Sequence, residues 1–274
     1  MTDDAGIFAE AARLARSGTR FAIAGIVDAS GSTPRSRARM LVRGDASALG
    51  TIGGGIVESK VIADSIACMK LNQSSLIRYD LDSLAGKDSV GMLCGGSMEV
   101  FIDVVPARRK LVIVGAGHVG QALAKLADFA GFGVSVVDER KEMANTELFP
   151  MAESIYCAES LGAALDELPV DAEAAVVIAT HADDERALRA LIAKPWSYIG
   201  MMGSRRKVKA LMDTLRGEGV PQDILSRVRA PIGLDIEAET PEEIAISIIA
   251  EILADANKAS GNHLAQQVLF REKQ

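Results

Sequence analysis

The chain has 274 residues, 49% of them hydrophobic and 24% charged, and a formal net charge of −7. That length carries one large domain or two of ordinary size, because single cores stop growing at roughly 250–300 residues. The composition excludes disorder as the dominant state, and the acidic balance excludes a broad grip on nucleic acid, which needs clustered Lys and Arg against phosphates.

No apolar run reaches the roughly 18 residues of a membrane-spanning helix. The opening MTDDAGIFAE is acidic, the wrong sign for the first region of a signal peptide. The sequence therefore predicts a cytoplasmic protein with neither a membrane nor a nucleic-acid partner. Cys68, Cys94 and Cys157 are an odd, scattered set, which argues against a disulfide framework, and no CxxC pair offers a zinc site.

In chain order, Ile7, Phe8, Ala11, Leu14 and Ala15 recur at helical spacing before Ser17-Gly18 ends the pattern. A β-prone run over 21–27 follows, closed by a hydroxyl-rich loop over 28–35. A short strand at 40–42 leads to Gly50-Thr51-Ile52-Gly53-Gly54-Gly55, which feeds a helix continuing to about Lys70. Strands are predicted at 76–79 and 98–105, the second introduced by Cys94-Gly95-Gly96. These elements make a smaller N-terminal α+β domain, residues 1–106.

From residue 107 the pattern changes to strand-then-helix units. Strands at 111–114, 134–137, 154–156, 175–179, 198–199 and 227–229 alternate with helices at 118–130, 160–167, 184–193 and 204–216. This alternation predicts an α/β fold, a Rossmann-like doubly wound parallel sheet over 107–274. A last helix opens on Thr240-Pro241-Glu242-Glu243, an N-cap followed by proline and first-turn acids. Its stripe of Ile244, Ala245, Ile248, Ile249, Ile252 and Leu253 serves either the core or a partner surface, so a homo-oligomer stays open.

The sharpest motif is Gly115, Gly117 and Gly120 directly after a strand, with Asp138 at the end of the next. Such glycines serve a tight turn, close approach to a diphosphate and helix packing, while the acid reaches a ribose hydroxyl. His118, in the first turn of the helix, is either solvated or a ligand contact. His181 follows a buried strand at the edge where open sheets bind ligands, and a metal shared with Asp183 and Asp184 is a weaker alternative. Ser204 and Arg205, in Gly203-Ser204-Arg205-Arg206-Lys207, suit an anion site, or else a solvated basic turn.

In the first domain, Gly53, Gly54 and Gly55 before Glu58 either cradle an anionic group or only permit a sharp turn. Cys94, standing before Gly95-Gly96, is either a reactive or metal-binding thiol or a buried structural one. Cys68 falls in an apolar helical stripe and reads as core.

Taken together, GSTPR (31–35), GTIGGG then Glu58, CGG (94–96), VGAGHVG (114–120), VVDER (136–140), THADD (180–184), YIGMMGSRRK (198–207) and the 230–252 segment resemble the xanthine dehydrogenase accessory proteins, the XdhC/CoxI family. The resemblance runs in order over about residues 20–255. It implies an accessory chaperone of a molybdenum hydroxylase, binding the molybdenum cofactor (molybdopterin) and protecting it while its terminal oxo ligand is exchanged for sulfur. It also implies help with insertion into the apo-enzyme. The expected partners are that apo-enzyme and a cysteine desulfurase, and no turnover of its own is required. On this reading the phosphate or diphosphate lies at Gly115, Gly117 and Gly120, the anion clamp is Ser204 and Arg205, and Cys94 is the metal-end ligand. The family pattern often places a cysteine after the three glycines, where this chain has Ile56.

The competing expectation is an NAD(P)-dependent oxidoreductase using the glycine turn, with Asp138 favouring NAD because a 2′-phosphate would meet like charge. A sensor binding another nucleotide is the third.

Overall fold

The computed structural model describes residues 4–31, 38–80 and 96–265. The chain divides into two compact units on either side of the Arg108–Arg109 bond.

The first unit contains α1 (Asp4–Arg16), β1 (Phe21–Gly31), β2 (Arg39–Arg43), β3 (Ala48–Gly50), α2 (Gly55–Leu71), β4 (Ser75–Asp80) and β5 (Gly96–Val105). The strands form an antiparallel sheet in the order β3-β2-β1-β5-β4. Successive strand side chains point to opposite faces, so Phe21 and Leu41 join Ile7, Ala11 and Leu14 of α1. Ala22, Ala24, Met40 and Val42 join Val61, Cys68 and Met69 of α2. Cys68 is a buried free thiol, and burial pushes its pKa up. β1 runs through 28–31, where the sequence predicts loop. An irregularity between Ile26 and Asp28 resets the register, and pairing with β5 resumes to Gly31↔Gly96, as a bulge allows. The rest of the predicted loop, and Cys94 with Gly95, lie outside the described residues.

The second unit begins β6 (Lys110–Val114), α3 (His118–Phe129), β7 (Gly133–Val137), β8 (Ser154–Tyr156), α4 (Leu161–Glu167) and β9 (Ala174–Ile178). It continues with α5 (Asp184–Ile192), β10 (Tyr198–Met201), α6 (Arg205–Gly217), α7 (Gln222–Arg227), β11 (Val228–Arg229) and α8 (Pro241–Ala256). All its strand pairs are parallel, in the order β11-β10-β9-β6-β7-β8. The chain starts in the middle at β6, builds outward to β8, then returns to β9 beside β6 and builds the other way. This is the doubly wound arrangement, and its reversal between β6 and β9 opens a crevice outside the strands' carboxyl ends.

Both faces of the sheet are covered, which explains the continuous apolar runs of its central strands, such as β9, buried at all five positions. Val112, Val114, Val176 and Ile199 pack on α4, α5, α6 and α7. Leu111, Ile113, Val134 and Val177 pack on α3 and α8. The α8 stripe is core: Ala245, Ile248, Ile249 and Ile252 are buried in this second layer. Thr240 and Glu243 form a reciprocal capping box, with Pro241 at the first position. No helix among the described residues is long and apolar enough to cross a membrane.

Candidate functional site

The three glycines after β6 do different things. Gly115 has φ 117°, and a Cβ there would stand 2.3 Å from the Ala179 carbonyl oxygen. The turn thus passes against the end of β9, which only glycine permits. A Cβ on Gly120 would lie 2.0 Å from the Gly115 carbonyl oxygen, so its role is to let α3 sit on the turn. Gly117 has an ordinary φ of −70° and meets nothing within 4 Å. It is the N-cap of α3 and provides no side-chain cap. The first amides of α3 therefore keep their hydrogen-bonding capacity for an incoming anion, with the helix dipole in support.

Asp138, at the end of β7, is only 5% exposed. Its Oδ2 accepts the Ala116 N–H at 2.7 Å and Nη2 of Arg140 at 2.7 Å. Its Oδ1 accepts the Arg140 N–H and Nε, both at 2.9 Å. Burial opposes its ionisation but is outweighed by the Arg140 and Ala116 hydrogen bonds, so its pKa lies below the ordinary value. The carboxylate expected to meet a ribose hydroxyl is thus already engaged. Sequence reading missed Arg140; its signal is a cation two residues past the strand-end acid, close enough to fold back on it.

Asp138, Glu139, Arg140 and Leu161 on one side and Thr180, His181, Ala182 and Asp183 on the other line a pocket of about 190 Å³. The fold thereby brings Asp138 and His181 together. His118 instead lines a larger groove of about 550 Å³ between α3 and α8, shared with Lys125, Phe129, Glu242 and Ile246. That groove is mainly apolar and lacks the glycine turn.

Asp184 is buried and joins a network that sequence reading missed. One oxygen takes the Thr180 hydroxyl and the other takes Nζ of Lys207 at 2.6 Å. A buried carboxylate needs such partners, and the result ties the turn after β9 to the first turn of α6. Asp184 is thereby spent, and among the described residues no three His, Cys, Asp or Glu side chains are grouped to hold a metal ion.

Ser204 is the N-cap of α6, accepting the Lys207 N–H at 3.3 Å. Its hydroxyl therefore serves the helix first. The first turn carries Arg205, Arg206 and Lys207 and no acid, against the preference of a helix N-terminus for negative charge. Lys207 is neutralised by Asp184, whereas Arg205 and Arg206 are exposed and make no ion pair among the described residues. Two free guanidinium groups opposing the dipole favour an anion from outside.

In the first unit, Gly53, Gly54 and Gly55 have φ of 133°, 79° and 67°. Such successive positive values need glycine. Glu58 turns back into this loop: its Oε2 accepts the Gly54 N–H at 3.1 Å and the Thr51 hydroxyl at 2.5 Å. The chain's own carboxylate thus holds the Gly54 amide, while the Gly53 N–H donates to the Thr51 hydroxyl at 3.1 Å.

These features define a Rossmann-type domain, joined in sequence to a smaller antiparallel α+β unit. Family models match at residues 111–252, the XdhC Rossmann domain, and at 14–80, the XdhC and CoxI family. The chain belongs to the XdhC and CoxI family. It is 46% identical to the uncharacterized protein YqeB of Escherichia coli K12 over 93% of this chain and 47% of that one. It is 36% identical to a probable xanthine dehydrogenase subunit of Bacillus subtilis 168, over 56% of this chain and 45% of that one. It is 28% identical to the molybdenum cofactor insertion chaperone PaoD of Escherichia coli K12, over 52% of this chain and 39% of that one. The chain thus spans about half the length, or less, of the curated relatives it matches. A solved chain described as a xanthine dehydrogenase from Bacillus halodurans aligns with TM-score 0.50 and 21% identity over 90% of this chain and 94% of its own, a likeness of fold.

Proposed function

We propose that this chain is an accessory protein of a molybdenum hydroxylase. It binds the molybdenum cofactor, shields it during sulfuration and delivers it to the apo-enzyme. Two of its relatives carry names from this chemistry, one a cofactor insertion chaperone and the other a subunit of xanthine dehydrogenase.

The observation that carries the reading is the pairing of Gly117's open face with the uncommitted cations Arg205 and Arg206 at one edge of one sheet. β6 and β10 are two strand spacings apart, roughly 10 Å. That separation suits a ligand with a phosphate at one point and further anionic character at another. The molybdopterin group fits this donor set through its phosphate, with or without an attached nucleotide. When bound, it would supply a molybdenum centre whose terminal oxo ligand can be exchanged for sulfur.

In this account the α3 amides behind Gly117 hold the phosphate, Gly115 and Gly120 shape the turn, and Arg205 with Arg206 supplies counter-charge. Asp184, through Thr180 and Lys207, keeps the turn after β9 and the start of α6 in fixed relation. His181 contributes a donor from the pocket wall. Cys94 is assigned to the metal end on its sequence setting alone. A cysteine desulfurase as sulfur donor follows from the same assignment.

The test is anaerobic incubation of the purified chain with molybdopterin cofactor, followed by ultrafiltration. Stoichiometric retention by the wild type, reduced at least tenfold in Arg205→Ala/Arg206→Ala, supports the reading. Passage of the cofactor through the membrane with wild-type protein rejects it.

A further inference from the structure

We infer that Arg140 makes the end of β7 a subsite for a ribose-linked phosphate, so that the crevice selects a 2′-phosphorylated nucleotide over one with a free ribose diol. The inference rests on the reading of Gly115–Gly120 as a phosphate-binding turn. It goes beyond the molybdenum cofactor by naming a second ligand class for the same edge.

The argument starts from the acceptor capacity of Asp138. In a dinucleotide-binding unit the acid after the second strand accepts the ribose hydroxyls, and that acceptor gives preference to an unphosphorylated ribose. Here the same carboxylate takes four hydrogen bonds: one from the Ala116 amide, one from the Arg140 amide and a side-on pair from the Arg140 guanidinium. A carboxylate offers about four acceptor sites, so none is left for a diol. A ribose diol gains Asp138 only by displacing a bidentate, charge-assisted contact of the stronger kind.

The donor side is open. Arg140 uses Nε and Nη2 on Asp138, and its side chain is 46% exposed on the pocket wall. Nη1 keeps its N–H groups, and a guanidinium is suited to phosphate. The acid's repulsion of a 2′-phosphate, the reason to expect an unmodified ribose, is cancelled by the cation in contact with it.

Glu139 and Glu142 also act on Arg140 through their charge, so the preference rests on the directed N–H groups of Nη1 rather than on a net positive pocket. Glu139 holds the Leu161 amide at 2.8 Å. Asp183, on the turn after β9, lines the opposite wall of the same pocket. His181, also on that turn and exposed, lines the same pocket as a further donor.

The probes are 2′,5′-ADP and 5′-ADP, which carry the same number of phosphates, titrated calorimetrically into wild type, Arg140→Gln and Arg140→Lys. The inference requires wild type to bind 2′,5′-ADP at least tenfold more tightly than 5′-ADP. Arg140→Gln, which frees Asp138, reverses the order, and Arg140→Lys, which keeps the charge without the fork, retains a reduced preference. Circular dichroism establishes that each variant is folded; if Arg140→Gln is not, the Arg140→Lys ratio decides. Equal binding of the two by wild type, tighter binding of 5′-ADP, or an unchanged ratio in the folded variants overturns it. Binding of neither nucleotide also overturns it, while retention of molybdopterin by the same preparation would leave the proposed function standing.

Discussion

The Asp138 carboxylate, at the end of the second strand of the parallel sheet, accepts the Ala116 N–H at 2.7 Å and so pins the glycine turn that follows the first. Replacing it by asparagine keeps the size but removes the charge that Arg140 and two backbone amides are arranged around. Leaving buried donors poorly paired costs about 1–3 kcal/mol. Arg140 can turn to solvent, which sets the value toward the lower end. Urea unfolding of Asp138→Asn should show this loss.

The same carboxyl gives a pH dependence of defined sign. Its folded pKa is lowered from the ordinary 3.8, with burial opposing and the Arg140 and Ala116 hydrogen bonds prevailing. The stabilisation is therefore present above that ordinary value and is lost as pH falls through the lowered one. Stability measured from neutral pH into the acid range should fall less steeply below the ordinary value in Asp138→Asn than in wild type.

The three glycines of the turn should separate under substitution by alanine. Gly115→Ala forces a positive φ and a clash with the Ala179 carbonyl oxygen, costing about 2–4 kcal/mol. Gly120→Ala meets the Gly115 carbonyl oxygen and should be comparably damaging. Gly117→Ala has room and an ordinary backbone, so its stability should stay within about 0.5 kcal/mol of wild type. Its methyl group nonetheless projects where the phosphate is proposed to lie, and cofactor retention should fall at least tenfold. Thermal melts and ultrafiltration on the same samples distinguish the three.

The start of α6 predicts opposite changes in stability and binding. Arg205→Glu replaces a cation with an anion at a helix N-terminus, which should stabilise the fold by about 0.3–1 kcal/mol at low salt. It also removes one of the two free guanidinium groups, so anion binding should weaken at least tenfold. A rise in melting temperature with loss of binding is expected; a fall in both would mean that Arg205 serves the fold.

For α8, Thr240→Ala removes the side chain that accepts the Glu243 N–H at 3.2 Å. Loss of such a cap costs about 1 kcal/mol, and guanidinium unfolding should register it, because α8 packs into the same layer as α3.

The sequence makes the parallel sheet legible because its central strands β6, β9 and β10 are short apolar runs buried on two faces, and because several helices carry a start signal, as at Ser160, Ser204 and Thr240. The glycine turn is legible because 115, 117 and 120 follow such a strand directly. Harder to read are side chains that turn back on their own loops. Arg140 onto Asp138, Glu58 onto the Gly54 amide and Lys207 onto Asp184 depend on three-dimensional proximity that no periodicity encodes. For the same reason the bond from the Gly54 amide to Glu58 is not visible in the three-glycine pattern. The strand continuing through 28–31 is hidden because Gly and Ser there signal a break, while pairing with β5 past the irregularity overrides local propensity.

The most direct test of the account is an anaerobic crystal structure of the chain with molybdopterin. The account predicts the phosphate against the first amides of α3 beside Gly117, with Arg205 or Arg206 facing the ligand. A phosphate bound elsewhere, with the Gly115–Gly120 turn and both arginines untouched, would contradict it.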